Sequence, residues 1–272
     1  MYISYKKCEY ISIYINIVFK KMDNNMEEKW IKHYSSWQKM LLVGEGNFSF
    51  SSCLARAFGS ATNMVATSFD DKVTLLRRYG INCASYLEDL EERGCLVLHE
   101  VDVHDMNQHP TLKSMKFDVI IFNFPHAGHV SWLKERDELL IVRHRHLVRA
   151  FFESASELLK EDGEVHITHR DDDPYRQWKL EELCETAGFC LKEKVEFNKK
   201  DYPGYINKRG GNINGNVTFP LKDCSFTFKF YLQESGSSLT SNDDDGYHKA
   251  SEAIANELSG ILAELGSKFG LN

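Results

Sequence analysis

The residues in this chain that could do chemistry stand at four points, each at the end of an apolar run. Gly44-Glu45-Gly46-Asn47 follows Met40 to Val43, Asp70 follows Asn63 to Phe69, and Asp102 follows Cys95 to Val101. The fourth point, Asn123-Phe124-Pro125-His126, closes the run that begins at Phe117. A glycine pair in a strand-to-helix turn lets a ribose or phosphate approach the backbone closely, because glycine takes positive φ without steric cost. Asp70 could accept both hydroxyls of a ribose, Asp102 could accept from an adenine amino group, and Asn123 stands where a transferred group would point. An aspartate at a strand end is, taken singly, more often a helix cap or turn former. Suitable groups at four strand ends in order describe a site in the crevice of a doubly wound sheet.

The spacing separates cofactor classes. The dinucleotide fingerprint G-x-G-x-x-G requires a third small residue for close helix packing, and here that position is Ser49, preceded by bulky Phe48. NAD is therefore disfavoured. A cofactor without a pyrophosphate, such as S-adenosyl-L-methionine, needs the turn but not the third glycine, and the carboxylate of Glu45 suits a ligand that carries positive charge. The expected cofactor residues are Gly44, Glu45, Gly46, Asn47, Phe48, Ser49, Asp70 and Asp102. The tetrad that starts at Asn123 resembles the N-P-P-aromatic signature of methyltransferases acting on planar nitrogens, a chemistry that needs acceptors for a ring N–H, a flat apolar surface and a rigid turn. Asn123 offers the acceptor, Phe124 the surface and Pro125 the turn. His126 is a candidate base or orienting group, and it also reads as a loop histidine with no catalytic role.

At 272 residues with 42% apolar content, the chain holds one α/β domain of ordinary size plus short appendages. Its formal charge of -7 gives no global attraction to nucleic acid or anionic membrane, so any RNA contact must come from local patches. The seven cysteines are scattered without a C-x-x-C pair, which reads as reduced thiols in an intracellular protein. His99, His104 and His109 recur every five residues, not at helical ligand spacing, so no metal site is expected.

The elements that must position these groups follow a repeating strand and helix order. Strands are expected over Met40 to Val43, Asn63 to Phe69, Cys95 to Val101 and Phe117 to His126, and over GEVHITH, which starts at Gly163. The Phe117 run is the most continuously apolar and belongs at the sheet centre. An apolar stripe from Leu139 to Leu159 marks the long helix before the fifth strand, with Gly163 ending it. PYRQWKLEELCETAGF reads as a helix with proline in its first turn and Gly188 as its cap. Phe189 to Phe197 and Cys224 to Tyr231, joined without a helix, read as an antiparallel pair. The fold class is α/β: a doubly wound seven-stranded Rossmann-like methyltransferase sheet, parallel with one antiparallel strand. Residues 1–25 form an N-terminal extension, disordered or mis-assigned, whose apolar run is too short to span a membrane. The methyltransferase domain covers 26–232, and 233–246 has the composition of a polar linker. Residues 247–272 form an appended amphipathic helix that could meet a protein partner or a second copy.

The text LLVGEGNFSFS, NMVATSFD, FDVIIFNFPHAG, GEVHITH, PYRQW, YPGYINKRG and TFKF closely resembles the Bmt5-like Rossmann family over Met40 to about Tyr231. That resemblance implies S-adenosyl-L-methionine as cofactor and methylation of the ring imide nitrogen of uridine in large-subunit rRNA, in the nucleolus or cytoplasm. Asn47 departs from the family, where many relatives carry aspartate. In YPGYINKRGG, Tyr202 and Tyr205 could stack on bases, Asn207 would assist, and Lys208 and Arg209 could meet phosphates. Arg143, Arg145 and Arg149 form a second basic patch that could touch RNA or solvate a helix face. Two other readings remain: methylation of tRNA or another acceptor, and a catalytically silent module that binds cofactor and recruits a partner.

Overall fold

The computed structural model describes residues 27–233. The N-terminal extension, the linker beyond residue 233 and the C-terminal helix lie outside the described residues. A short hairpin, β1 (Trp30–Ile31) and β2 (Tyr34–Ser35), precedes the main sheet; its two-residue strands are too brief to leave a periodic signal in the sequence.

The main sheet contains β3 (Met40–Val43), β4 (Met64–Thr67), β5 (Leu96–Leu98), β6 (Phe117–Asn123), β7 (Leu159–Arg170), β8 (Phe189–Glu196) and β9 (Ser225–Leu232). Their order is β5-β4-β3-β6-β7-β9-β8. The first five are mutually parallel, and β9 runs antiparallel to both β7 and β8. This is the seven-stranded Rossmann-like methyltransferase sheet with its single antiparallel strand, and β6 lies in the middle. Successive strand residues alternate between two cores, as a period of two requires. Leu41, Val43, Ile120 and Phe122 pack with Phe151, Phe152 and Leu158 on one face. Met40, Leu42, Val119 and Ile121 pack with Leu54, Leu87 and Leu90 on the other. Coverage on both faces explains why these strands read as unbroken apolar runs.

The helices are α1 (Ser49–Phe58), α2 (Lys72–Tyr79), α3 (Ile81–Glu92), α4 (Glu138–Leu158) and α5 (Leu180–Thr186). Several boundaries differ from the sequence reading. The second and third strands are shorter than expected, and β6 stops at Asn123, because Phe124 takes φ 49 and turns the chain out of the sheet. Gly163 does not end α4: that helix stops at Leu158 and Gly163 lies inside β7. The PYRQW segment is not one helix with LEELCET, since Lys179 at φ 52 separates a 3-10 turn over Tyr175–Trp178 from α5. The order of strands reverses between β3, which leads to β4, and β6, which leads to β7. A doubly wound sheet opens its binding crevice at that switch point.

Candidate functional site

A cavity of about 700 Å³ opens at the carboxyl ends of these strands, and it brings together Gly44 to Asn47, Asp70, Asp102 and Asn123 to His126. Gly44 sits at φ +65, and a Cβ there would stand 2.6 Å from Cε2 of Phe122, so a side chain is excluded by both conformation and contact. The Glu45 N–H donates to the Thr67 carbonyl at 2.8 Å, while its carboxylate accepts from the Ser51 N–H at 3.3 Å at the start of α1. Burial pushes the Glu45 carboxyl up to about 7, against the pull of that Ser51 bond. Asn47 Oδ1 accepts from the Ser49 backbone at 3.2 Å and from Ser49 Oγ at 2.8 Å, and Asn47 Nδ2 donates to the Ile206 carbonyl at 3.0 Å. The turn and the 202–219 segment are thereby tied together.

Phe48 and Ser49, expected among the cofactor contacts, are buried and do not line the cavity. Phe48 takes φ 60 and inserts its ring into the core, so the two residues shape the turn from behind. Asp70 lines the cavity and is paired with Arg78, whose guanidinium also donates to Asn212 Oδ1 at 3.0 Å. Asp102 accepts from the His104 N–H at 3.0 Å and lies 2.6 Å from His104 Nδ1. Partial burial raises the Asp102 pKa, but the His104 contacts outweigh it and hold the carboxyl below its ordinary range.

Beyond Asn123 the wall changes character. The Asn123 side-chain amide is buried at the end of the central strand with neither Oδ1 nor Nδ2 hydrogen-bonded within the protein. The Phe124 N–H donates to the Thr168 carbonyl at 2.7 Å, and its ring meets Phe197 and Phe219 edge-on at 5.5 and 5.3 Å. His126 Nδ1 accepts from the Gly128 N–H at 3.0 Å, so the ring proton sits on Nε2, which donates to Glu135 at 3.1 Å. Both nitrogens are engaged. This geometry fits an orienting role and leaves no lone pair for a base. His144, fully buried on α4, likewise accepts at Nδ1, from the Ala127 N–H at 3.1 Å, but its Nε2, 3.5 Å from Glu135, makes no hydrogen bond within the protein. His126, His129 and Glu135 place ligand atoms within 4.8 Å of one another. Ligating histidines normally donate their second ring nitrogen outward. Here one backbone N–H, that of Gly128, points at that nitrogen in His126, so the cluster reads as a carboxylate held by imidazoles. The sequence offered little signal for it, because Glu135 and His129 lie in irregular chain without periodicity.

The YPGYINKRGG segment divides. Tyr202 is not available to stack on a base: it is 2% exposed and stacked on Phe197 at 5.2 Å, inside the core shared with Phe50 and Tyr34. Asn207 is likewise internal, bridging Lys199 and the Phe219 carbonyl. Tyr205, Lys208 and Arg209 do line the cavity, although Tyr205 is nearly buried. Of the second basic patch, Arg143 lines the cavity and donates to the Ala127 carbonyl at 3.2 Å, whereas Arg145 pairs with Glu182 and Arg149 with Glu153. Among the described residues no helix is long and apolar enough to cross a membrane.

The BMT5-like family, described as rRNA (uridine-N3-)-methyltransferase BTM5-like, matches residues 41–209. The chain belongs to this family. As a BMT5-like protein it shares 47% identity over 206 residues with uncharacterized protein At4g26485 of Arabidopsis thaliana, covering 75% of this chain and 98% of that one. Heavy metal-associated isoprenylated plant protein 41 of the same plant is 48% identical over 204 residues, which cover 75% of this chain but only 39% of that longer protein. The 25S rRNA (uridine(2634)-N(3))-methyltransferase of Saccharomyces cerevisiae is 22% identical, with 78% of this chain and 82% of that one covered. Family membership and the sheet support methyltransferase activity, which implies a methyl donor, and rRNA modification as the family's chemistry.

Proposed function

We propose that this BMT5-like protein is an S-adenosyl-L-methionine-dependent methyltransferase acting on the ring imide nitrogen of a uridine in large-subunit rRNA. The observation that carries the proposal is Asn123, an unpaired buried amide at the end of the central strand. It stands between the glycine turn and the wall formed by Phe124 and Pro125. A buried amide without partners costs stability, and a ligand that donates and accepts would satisfy it.

The residues fit the cofactor. Bound in the crevice, S-adenosyl-L-methionine supplies an electrophilic methyl group on sulfur. Gly44 and Gly46 would admit it close to the backbone, Asp70 would accept ribose hydroxyls in place of the Arg78 guanidinium, and Asp102 would accept from the adenine amino group. Glu45, whose carboxyl burial pushes up to about 7, would favour a positively charged ligand once ionised. Asn123 orients the acceptor ring, Phe124 gives an apolar surface beside it, and His126, fixed by Gly128 and Glu135, keeps the turn rigid. Rate comes from orientation rather than a covalent enzyme intermediate: the N–C bond forms as the methyl–sulfur bond breaks, and the imide proton is lost to water in the open cavity. The nucleolus or cytoplasm, where large-subunit rRNA is made and assembled, is the site of action. Mass spectrometry of rRNA nucleosides from cells with and without the gene tests the proposal. Loss of 3-methyluridine supports it, and an unchanged amount refutes the rRNA assignment.

A further inference from the structure

Trp178 Nε1 and His169 Nε2 are both buried in the cavity wall, and neither has a hydrogen-bond partner within the protein. The side chains are 1% and 3% exposed. They adjoin the acceptor half directly, since Thr168 pairs in register with Asn123 and His169 follows it. The Trp178 indole is stacked on His144 with centroids 4.1 Å apart and an interplanar angle of 22°. His169 packs against it at 4.4 Å. Trp178 lines the cavity, and its indole Nε1–H is a donor there that no protein group satisfies. Indole Nε1 is a donor only. His144 does not relieve it, because the His144 Nδ1 lone pair takes the Ala127 N–H and its Nε2 proton faces Glu135. Burial holds His169 neutral, its pKa lowered to about 3.

A donor kept unpaired in a braced ring calls for an acceptor brought by the substrate. We propose that Trp178 Nε1–H recognises the C4 keto oxygen, the one of the two carbonyls beside the imide nitrogen that cytidine replaces with an amino group, so that the site takes uridine and rejects cytidine. The inference rests on the uridine reading above and adds the residue that enforces it. Cytidine carries an amino group at that corner, which would set donor against donor, and polar mismatch in a buried site discriminates far more strongly than shape.

The test compares wild type with Trp178→Phe, which keeps an aromatic ring between the imidazoles and removes the N–H. Short RNA substrates carry uridine or 4-thiouridine at the methylated position, the thione being a much weaker acceptor. Trp178→Phe is expected to lower kcat/KM on uridine RNA by about ten- to hundredfold, with S-adenosyl-L-methionine affinity unchanged. The wild type should lose a similar factor on 4-thiouridine, and the variant should lose little more, because the altered imide acidity is common to both proteins and cancels in the cycle. Full rate on uridine RNA, or losses that simply multiply, overturns the proposal. If the variant does not fold, the indole N–H resonance of the wild type decides. It should move on adding uridine RNA and not on adding 4-thiouridine RNA, and equal response to both refutes the contact. Wild type that forms no 3-methyluridine at all refutes the uridine reading itself, a result distinct from wild type and Trp178→Phe forming it equally well.

Discussion

On the proposed function, Asp70 and Asn123 divide the labour of the site between cofactor and acceptor. The Asp70 carboxylate lies in the cavity with Arg78 as its partner, and accepting two ribose hydroxyls should contribute roughly 1.5–3 kcal/mol to cofactor binding. Asp70→Ala is therefore expected to weaken S-adenosyl-L-methionine binding about ten- to hundredfold by calorimetry. Asn123→Ala should leave that affinity nearly unchanged and lower turnover at saturating cofactor. The reverse pattern in folded proteins would contradict the assignment. Glu45 gives a second test at this scale. Its carboxyl titrates near 7 when folded, against about 4.5 unfolded. The folded state thus holds the proton more tightly, and stability falls as pH rises between those two values. The full penalty, roughly 3 kcal/mol, is present only above about pH 7. Glu45→Gln should match the wild-type melting temperature near pH 4.5 and exceed it by several degrees at pH 8. A variant less stable than wild type at pH 8 would show that the carboxylate is satisfied in some other way.

The element that the sequence described least well is the 202–219 segment. Its aromatic and basic residues look alike as text, yet the fold sends Tyr202 inward to Phe197 and leaves Lys208 and Arg209 at the cavity. Tyr202→Ala should cost about 3–5 kcal/mol of stability, as truncation of a buried aromatic does, with RNA affinity of the folded fraction unchanged. Arg209→Ala should leave the melting temperature within a degree or two, weaken RNA binding, and reduce the slope of log affinity against log salt by about one. Equal stability losses would mean that Arg209 is also a packing residue. The parallel strands were legible because burial on both faces leaves continuous apolar runs, and β6 is the clearest case. Gly44 was legible because its conformation forbids a side chain. Glu135 and His129 were not, since they lie in irregular chain that folds back on α4, which no local period encodes, and Trp178 was legible only as part of PYRQW, not as a wall of the cavity. His126 could be placed at the turn from sequence, but only the Gly128 N–H fixes its tautomer.

The whole molecule carries a formal charge of -7, so the RNA of the proposed function would have to be drawn to one region of it. The cavity offers Arg143, Arg170, Lys208 and Arg209 among its lining residues, together with Asp70 and Asp102. On the proposed function, cofactor and acceptor base meet at Asn123, where a uridine imide nitrogen is methylated. The most direct measurement uses purified protein, large-subunit rRNA that lacks the modification, and S-adenosyl-L-methionine with an isotopically labelled methyl group, followed by nucleoside mass spectrometry. The label is predicted to appear in 3-methyluridine and to fall sharply with Asn123→Ala. Label in a ribose 2′-O-methyl group or a carbon-methylated base, or none with cofactor demonstrably bound, would contradict the account.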